Sequence, residues 1–134
     1  MNRSNLRTLE VLVMDDDRLV LSSMAMLLES IGHKATQTAE GSEAVQKAGS
    51  QSFDLAILDL SVPGGLGGRD IADQLRALQP TIKLVVSSGF GLDDMAPEEI
   101  DLFDAILEKP FRLVDLIAVL EMLDLAAPEA EQGG

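Results

Sequence analysis

The sequence predicts a doubly wound α/β domain, with a five-stranded parallel sheet and helices on both faces. Three observations predict it. Short runs rich in Val, Ile and Leu read as buried strands at Val11–Met14, Leu55–Leu58, Leu84–Val86 and Ala105–Leu107. Segments of helical period separate these runs, as the right-handed crossovers between parallel strands require. A chain of 134 residues with 46% apolar residues suits a single domain with an ordinary core.

The elements follow in order. Leu19, Val20, Met24, Leu27, Leu28 and Ile31 lay out one apolar helical face after the first strand, and Gly32 offers a left-handed cap. Asp17 stands where that helix needs its N-cap. His33, beside a glycine, reads as a surface loop residue without a role. Lys34–Ala39 is a polar strand suited to a sheet edge, and Ser42–Gly49 carries a short helical pattern. Gly64–Gly68 has the look of a phosphate cradle, but it lacks the Lys-Ser/Thr ending of a P-loop and reads as a flexible loop. Ile71, Leu75 and Leu78 mark the next helix, ended by Pro80. Asp93–Leu102 reads as a short acidic helix in which Pro97 must fall in the first turn or break it, since an interior proline costs roughly 3 kcal/mol. Leu113, Leu116, Ile117, Leu120 and Leu123 form the last apolar face. The expected organisation is an N-terminal extension over 1–9, the domain over 10–124 and a flexible acidic tail over 125–134.

Composition removes several function classes. A formal charge of −13 disfavours direct binding to nucleic acid or anionic lipid. The chain has no cysteine, which excludes disulfides, thiolate metal sites and cysteine nucleophiles. No apolar run reaches the roughly 18 residues of a membrane span, and MNRSNLRTLE lacks the apolar stretch of a signal peptide. The expectation is a cytoplasmic domain without direct membrane insertion.

Ligands of open α/β sheets bind beyond the carboxyl ends of the strands. The residues there form a coherent set: Asp15, Asp16 and Asp17 after the first strand, Asp59 at the third, Ser87 and Ser88 at the fourth, Lys109 and Pro110 at the fifth. Carboxylates from two neighbouring strand ends repel by roughly 4 kcal/mol per pair at 4 Å with an effective dielectric near 20, unless a cation intervenes. Mg²⁺ is the natural counter-ion, because it takes few carboxylates and keeps room for water and phosphate oxygens. Asp16 and Asp59 with a nearby carbonyl suit it. An aspartate can attack phosphorus to form an acyl phosphate while a cation and a lysine neutralise the equatorial oxygens, roles open to Asp59, Mg²⁺ and Lys109.

In these residues the chain resembles the receiver domains of bacterial response regulators, from about Val11 to Leu120. Asp15-Asp16 looks like the family's metal-binding acidic pair, Asp59 in LAILDLSVPGGLGG like its phospho-acceptor, Ser87 like its switch hydroxyl and Lys109 in EKPF like its lysine. The resemblance implies a flavodoxin-like fold of receiver type, a Mg²⁺ site made by Asp15, Asp16, Asp59 and Ser61, and a cis Lys109–Pro110 bond. It implies a phosphoprotein of two-component signalling rather than an enzyme acting on other substrates. Such a domain takes its phosphoryl group from a histidine kinase or phosphotransfer domain, assists its own phosphorylation and dephosphorylation, and controls a downstream protein. DLSVPGGLGGRD with VVSSGF is similar to receivers attached to hybrid histidine kinases.

Departures from the family pattern bear on output. Val62 stands where methionine is common, and Ile106 takes the usual place of an aromatic switch residue in a chain without tyrosine. Ser87 is therefore expected to carry the coupling. Rival readings are a Mg²⁺-dependent phosphatase, disfavoured by Ser61 where a second acidic residue is needed, and a flavin binder, disfavoured by the acidic first loop. A degenerate receiver that binds partners without phosphorylation is the stronger alternative.

Overall fold

The computed structural model describes residues 7–125. The chain runs β1 (Glu10–Met14), α1 (Arg18–Ser30), β2 (Lys34–Thr38), α2 (Gly41–Ser50), β3 (Leu55–Asp59), α3 (Gly68–Leu78), β4 (Lys83–Ser88), a 3₁₀ turn (Gly91–Asp94), α4 (Pro97–Ile100), β5 (Ala105–Glu108) and α5 (Leu113–Met122). All strand pairs are parallel and the sheet order is β2-β1-β3-β4-β5. This is the doubly wound α/β fold that the strand and helix pattern predicts.

Alternation along the strands divides the core between the two faces of the sheet. Val11, Val13, Ile57 and Val85 pack with Met24, Leu28, Leu116 and Leu120 from α1 and α5. Leu12, Met14, Leu58 and Leu84 pack with Ala44, Ile71 and Leu75 from α2 and α3. Central strand β3 is buried at every position, which explains its unbroken apolar run up to Asp59. Complete burial of each Leu or Ile there stabilises by about 1.5–3 kcal/mol relative to exposure. Polar β2 lies at the sheet edge, as its composition predicts.

Local chemistry sets the helix ends. Asp17 caps α1, its carboxylate accepting from Leu19 N at 2.9 Å and Val20 N at 3.4 Å. The helix stops where Gly32 takes φ +91, and His33 N then bonds back to Leu28 O at 3.0 Å.

Three expectations need correction. His33 is buried rather than on the surface, and its Nδ1 accepts the Leu9 N–H at 3.0 Å. The turn after α1 folds it under the start of β1, where Leu9, within the expected extension, is itself fully buried. The acidic stretch 93–102 is not one helix. Pro97 has no N–H to continue a helix and sits at the first position of the short α4, so the residues before it form the separate 3₁₀ turn. The glycine-rich loop is tied rather than loose in its second half, where Gly67 packs on Leu60 and Ser61. The tail expected beyond Leu125 lies outside the described residues. Among the described residues no helix is long and apolar enough to cross a membrane.

Candidate acidic site

Sheet order reverses direction at β1, which lies between β2 and β3, so the carboxyl ends of β1 and β3 flank the switch point where ligands of such sheets bind. Asp15 and Asp16 follow β1, and Asp59 ends β3. One carboxylate oxygen from each lies within 4.8 Å of the others. Asp15 is fully buried and firmly held. Its N–H donates to Thr38 O at 3.1 Å, and its Oδ1 accepts the Asp17 N–H at 2.9 Å. Thr38, whose buried hydroxyl donates to Val13 O at 2.8 Å, is a supporting residue that the sequence pattern does not reveal.

Lys109, reaching in from the end of β5, donates to Asp15 Oδ2 at 2.7 Å and approaches Asp59 Oδ1 at 3.4 Å. Burial alone would lower the pKa of its ammonium, but the hydrogen bond it donates to Asp15 and the charge of Asp59 outweigh it and leave the pKa raised. Asp59 is pushed up to about 6, first by burial and then by the charge of Asp15, with Lys109 opposing. The Lys109–Pro110 peptide bond is cis.

Ser87 is the Cα partner of Asp59 in the β3–β4 ladder, and side chains of paired residues share a face of the sheet. Its Oγ is buried without a hydrogen-bond partner. Ser88, also buried, accepts the Phe90 N–H at 3.2 Å. Ser61 is exposed two residues beyond Asp59. Ile106 is half-buried against the cluster of Leu60, Val86 and Met95.

The donors fit a hard divalent cation. All are oxygens, Asp16 is exposed to solvent, and three carboxylates against one ammonium leave two negative charges when every group is ionised. Among the described residues the cluster contains neither histidine nor cysteine, the ligands zinc prefers. A buried unpaired hydroxyl beside this cluster is a ready donor for an anion at Asp59.

Comparisons with known proteins agree with this geometry. The family model for the response regulator receiver domain matches residues 11–121. The response regulator receiver protein CpdR of Brucella abortus is 27% identical over 118 residues, covering 87% of this chain and 98% of that protein. The transcriptional regulatory protein PrrA of Mycobacterium bovis is 32% identical over 84% of this chain, which spans 48% of PrrA. A CheY-like receiver domain from Methylobacillus flagellatus superposes with a TM-score of 0.80 at 30% identity, over 87% of this chain and 99% of that one. A response regulator from Burkholderia pseudomallei, solved with a phosphorylated aspartic acid and a calcium ion, gives a TM-score of 0.75 at 28% identity over 83% of this chain and 65% of its own. These relatives are response regulators, and a likeness to hybrid kinases is not among what they show. The chain belongs to the response regulator receiver domain family, the signalling switches of two-component systems.

Proposed function

We propose that this receiver accepts a phosphoryl group on Asp59 from the phosphohistidine of a histidine kinase or phosphotransfer domain. An Asp59 carboxylate oxygen attacks phosphorus, the bond from phosphorus to the imidazole nitrogen breaks, and the imidazole leaves with that electron pair. The supporting observation is the convergence of Asp15, Asp16 and Lys109 on Asp59. Asp15, Asp16, Asp59 and the Ser61 carbonyl would hold Mg²⁺, which supplies charge neutralisation for the transferred oxygens. Lys109 pairs with one of those oxygens, and Ser87 donates its free hydroxyl to another. That hydroxyl has a partner only in the phosphorylated state, so phosphorylation shifts the population toward conformations that bring β4 nearer the phosphoryl group. That the Burkholderia relative was solved with a phosphorylated aspartic acid and a calcium ion supports a phosphoaspartate reading. A downstream protein then reads the shifted surface.

Incubation with acetyl phosphate and Mg²⁺, followed by intact mass, tests the reading. The wild type should gain one phosphoryl group, and Asp59→Asn should gain none. A wild type that gains no mass, or a phosphoryl group mapped to another residue, overturns it and favours a receiver that acts by binding alone.

A further inference from the structure

The segment after Asp59 is gripped by a neighbouring helix at a residue with no chemistry of its own. Gly41, the first residue of α2, donates its N–H to Leu66 O at 2.7 Å. A Cβ on Gly41 would stand 2.6 Å from Leu66 Cβ, 2.7 Å from Leu66 O and 2.9 Å from Ile71 Cγ2. The next residue, Gly67, is equally close to the chain it covers. A Cβ there would lie 2.5 Å from both Leu60 O and Ser61 Cα. Gly67 is also anchored to α3, its N–H donating to Asp70 Oδ2 at 2.9 Å. Two close approaches in series therefore connect α2 to Ser61. The loop tip differs, since Gly64 takes φ +78 and a Cβ there would meet open space. Contacts without side chains on the glycine side leave no slack, so a displacement of Leu66 must pass to Gly67 and Ser61 or back into α2.

We propose that Gly41 is a positioning residue for metal binding: by fixing Leu66 it sets where the Ser61 carbonyl stands relative to Asp59, and hence the affinity of the acidic pocket for Mg²⁺. This rests on the reading of the pocket given above. Mg²⁺ demands near-octahedral geometry at about 2.0–2.1 Å and tolerates misplaced ligands poorly. Gly41 touches neither cation nor phosphoryl group, so its influence belongs in Mg²⁺ half-saturation and not in the rate at saturating Mg²⁺.

Gly41→Ala and Gly49→Ala place the same methyl group at opposite ends of α2, and at Gly49 nothing lies within 4 Å of it. Calorimetric titration with MgCl₂ should show binding weakened about fivefold or more in Gly41→Ala and unchanged in Gly49→Ala. Acetyl phosphate turnover by Gly41→Ala should regain the wild-type rate at saturating Mg²⁺. Equal Mg²⁺ affinity in Gly41→Ala and wild type overturns the proposal. Should Gly41→Ala fail to fold, reciprocity supplies the test in the wild type, because Mg²⁺ must then slow solvent exchange of the Gly41 N–H. Exchange at the same rate with and without Mg²⁺ overturns the proposal as well. A wild type that binds no Mg²⁺ removes the reading of the pocket and this role together. One that binds Mg²⁺ while either Gly41 measurement stays unmoved removes the role of Gly41 alone.

Discussion

The Lys109 ammonium lies 2.7 Å from Oδ2 of Asp15, a carboxylate whose side chain is only 1% exposed. Such a pair contributes less than its Coulomb energy suggests, because Asp15 has left water and Lys109 has partly done so, yet removing one partner strands the other. Lys109→Met should therefore destabilise the domain by about 2–4 kcal/mol in urea unfolding at pH 7. Millimolar Mg²⁺ should restore part of that loss by neutralising the same carboxylates. A double-mutant cycle with Asp15→Asn should give a coupling of about 1 kcal/mol or more, and a coupling near zero would show that the contact is not energetically formed.

Asp59 should couple stability to pH with a definite sign. Its folded pKa is raised to about 6 from an ordinary value of 3.8. The folded state therefore binds the proton more tightly, and the stability contributed by Asp59 is full below about pH 4 and lost as pH rises through about 6. Asp59→Asn should escape that loss. In the absence of divalent ions, its stability advantage over the wild type should open between about pH 4 and 6 and level off above 7, at about 2–3 kcal/mol. Urea midpoints of both proteins across this range check it, and a gap that is flat with pH would show that Asp59 is not held in a repulsive pocket. Mg²⁺ competes with the proton, so it should raise the wild-type melting temperature more at pH 7.5 than at pH 5. Asp16→Ala should weaken that Mg²⁺ effect while relieving carboxylate repulsion in the ion-free protein.

Much of this site is legible in the sequence, because its residues sit where strand periodicity ends. Asp59 closes an apolar run and Lys109 precedes a proline, so placing the strands places their chemistry. The fold is legible for the same reason, since buried parallel strands carry strong apolar runs. What escapes is whatever depends on contacts distant in sequence. His33 has no local pattern that announces the Leu9 N–H above it. Gly41 and Gly67 look like ordinary turn residues until the chain they touch is in place. The stretch 93–102 is the opposite case, since Pro97 is visible in the sequence and by itself places the start of α4.

His33 should make the domain sensitive to mild acid. Its pKa is lowered, chiefly by burial, with Asp54 opposing and Arg7 adding to the effect. Its Nδ1 must also stay unprotonated to accept the Leu9 N–H. A base with a depressed folded pKa contributes stability above its unfolded pKa, near 6.5, and loses it as pH falls through the folded value. The chain has one histidine, so imidazole carbon shifts followed by NMR report this group alone. The titration should fall below 6.5, and the Leu9 amide should shift with it. A titration at or above 6.5 would show that the buried acceptor geometry does not persist in solution.

Ser87 should separate phosphoryl binding from the conformational response to it. Its Oγ is buried without a partner and lies beside Asp59 on the same face of the sheet. A buried hydroxyl in that state costs about 1–3 kcal/mol, so Ser87→Ala should leave the unphosphorylated domain as stable as the wild type or slightly more stable. Ser88→Ala instead removes the acceptor of the Phe90 N–H and should perturb the β4–α4 loop with or without a phosphoryl group. Ile106 offers no ring to rotate, so the response should run through Ser87 into the Val86 and Met95 cluster that Ile106 joins. Beryllofluoride, bound at Asp59 as a phosphoryl mimic, should shift the backbone amides of 84–103 in the wild type. The same mimic should still bind Ser87→Ala while moving those amides far less. Equal movement in both proteins would take the switch away from Ser87, and loss of the response in Ser88→Ala alone would place it on the neighbouring hydroxyl.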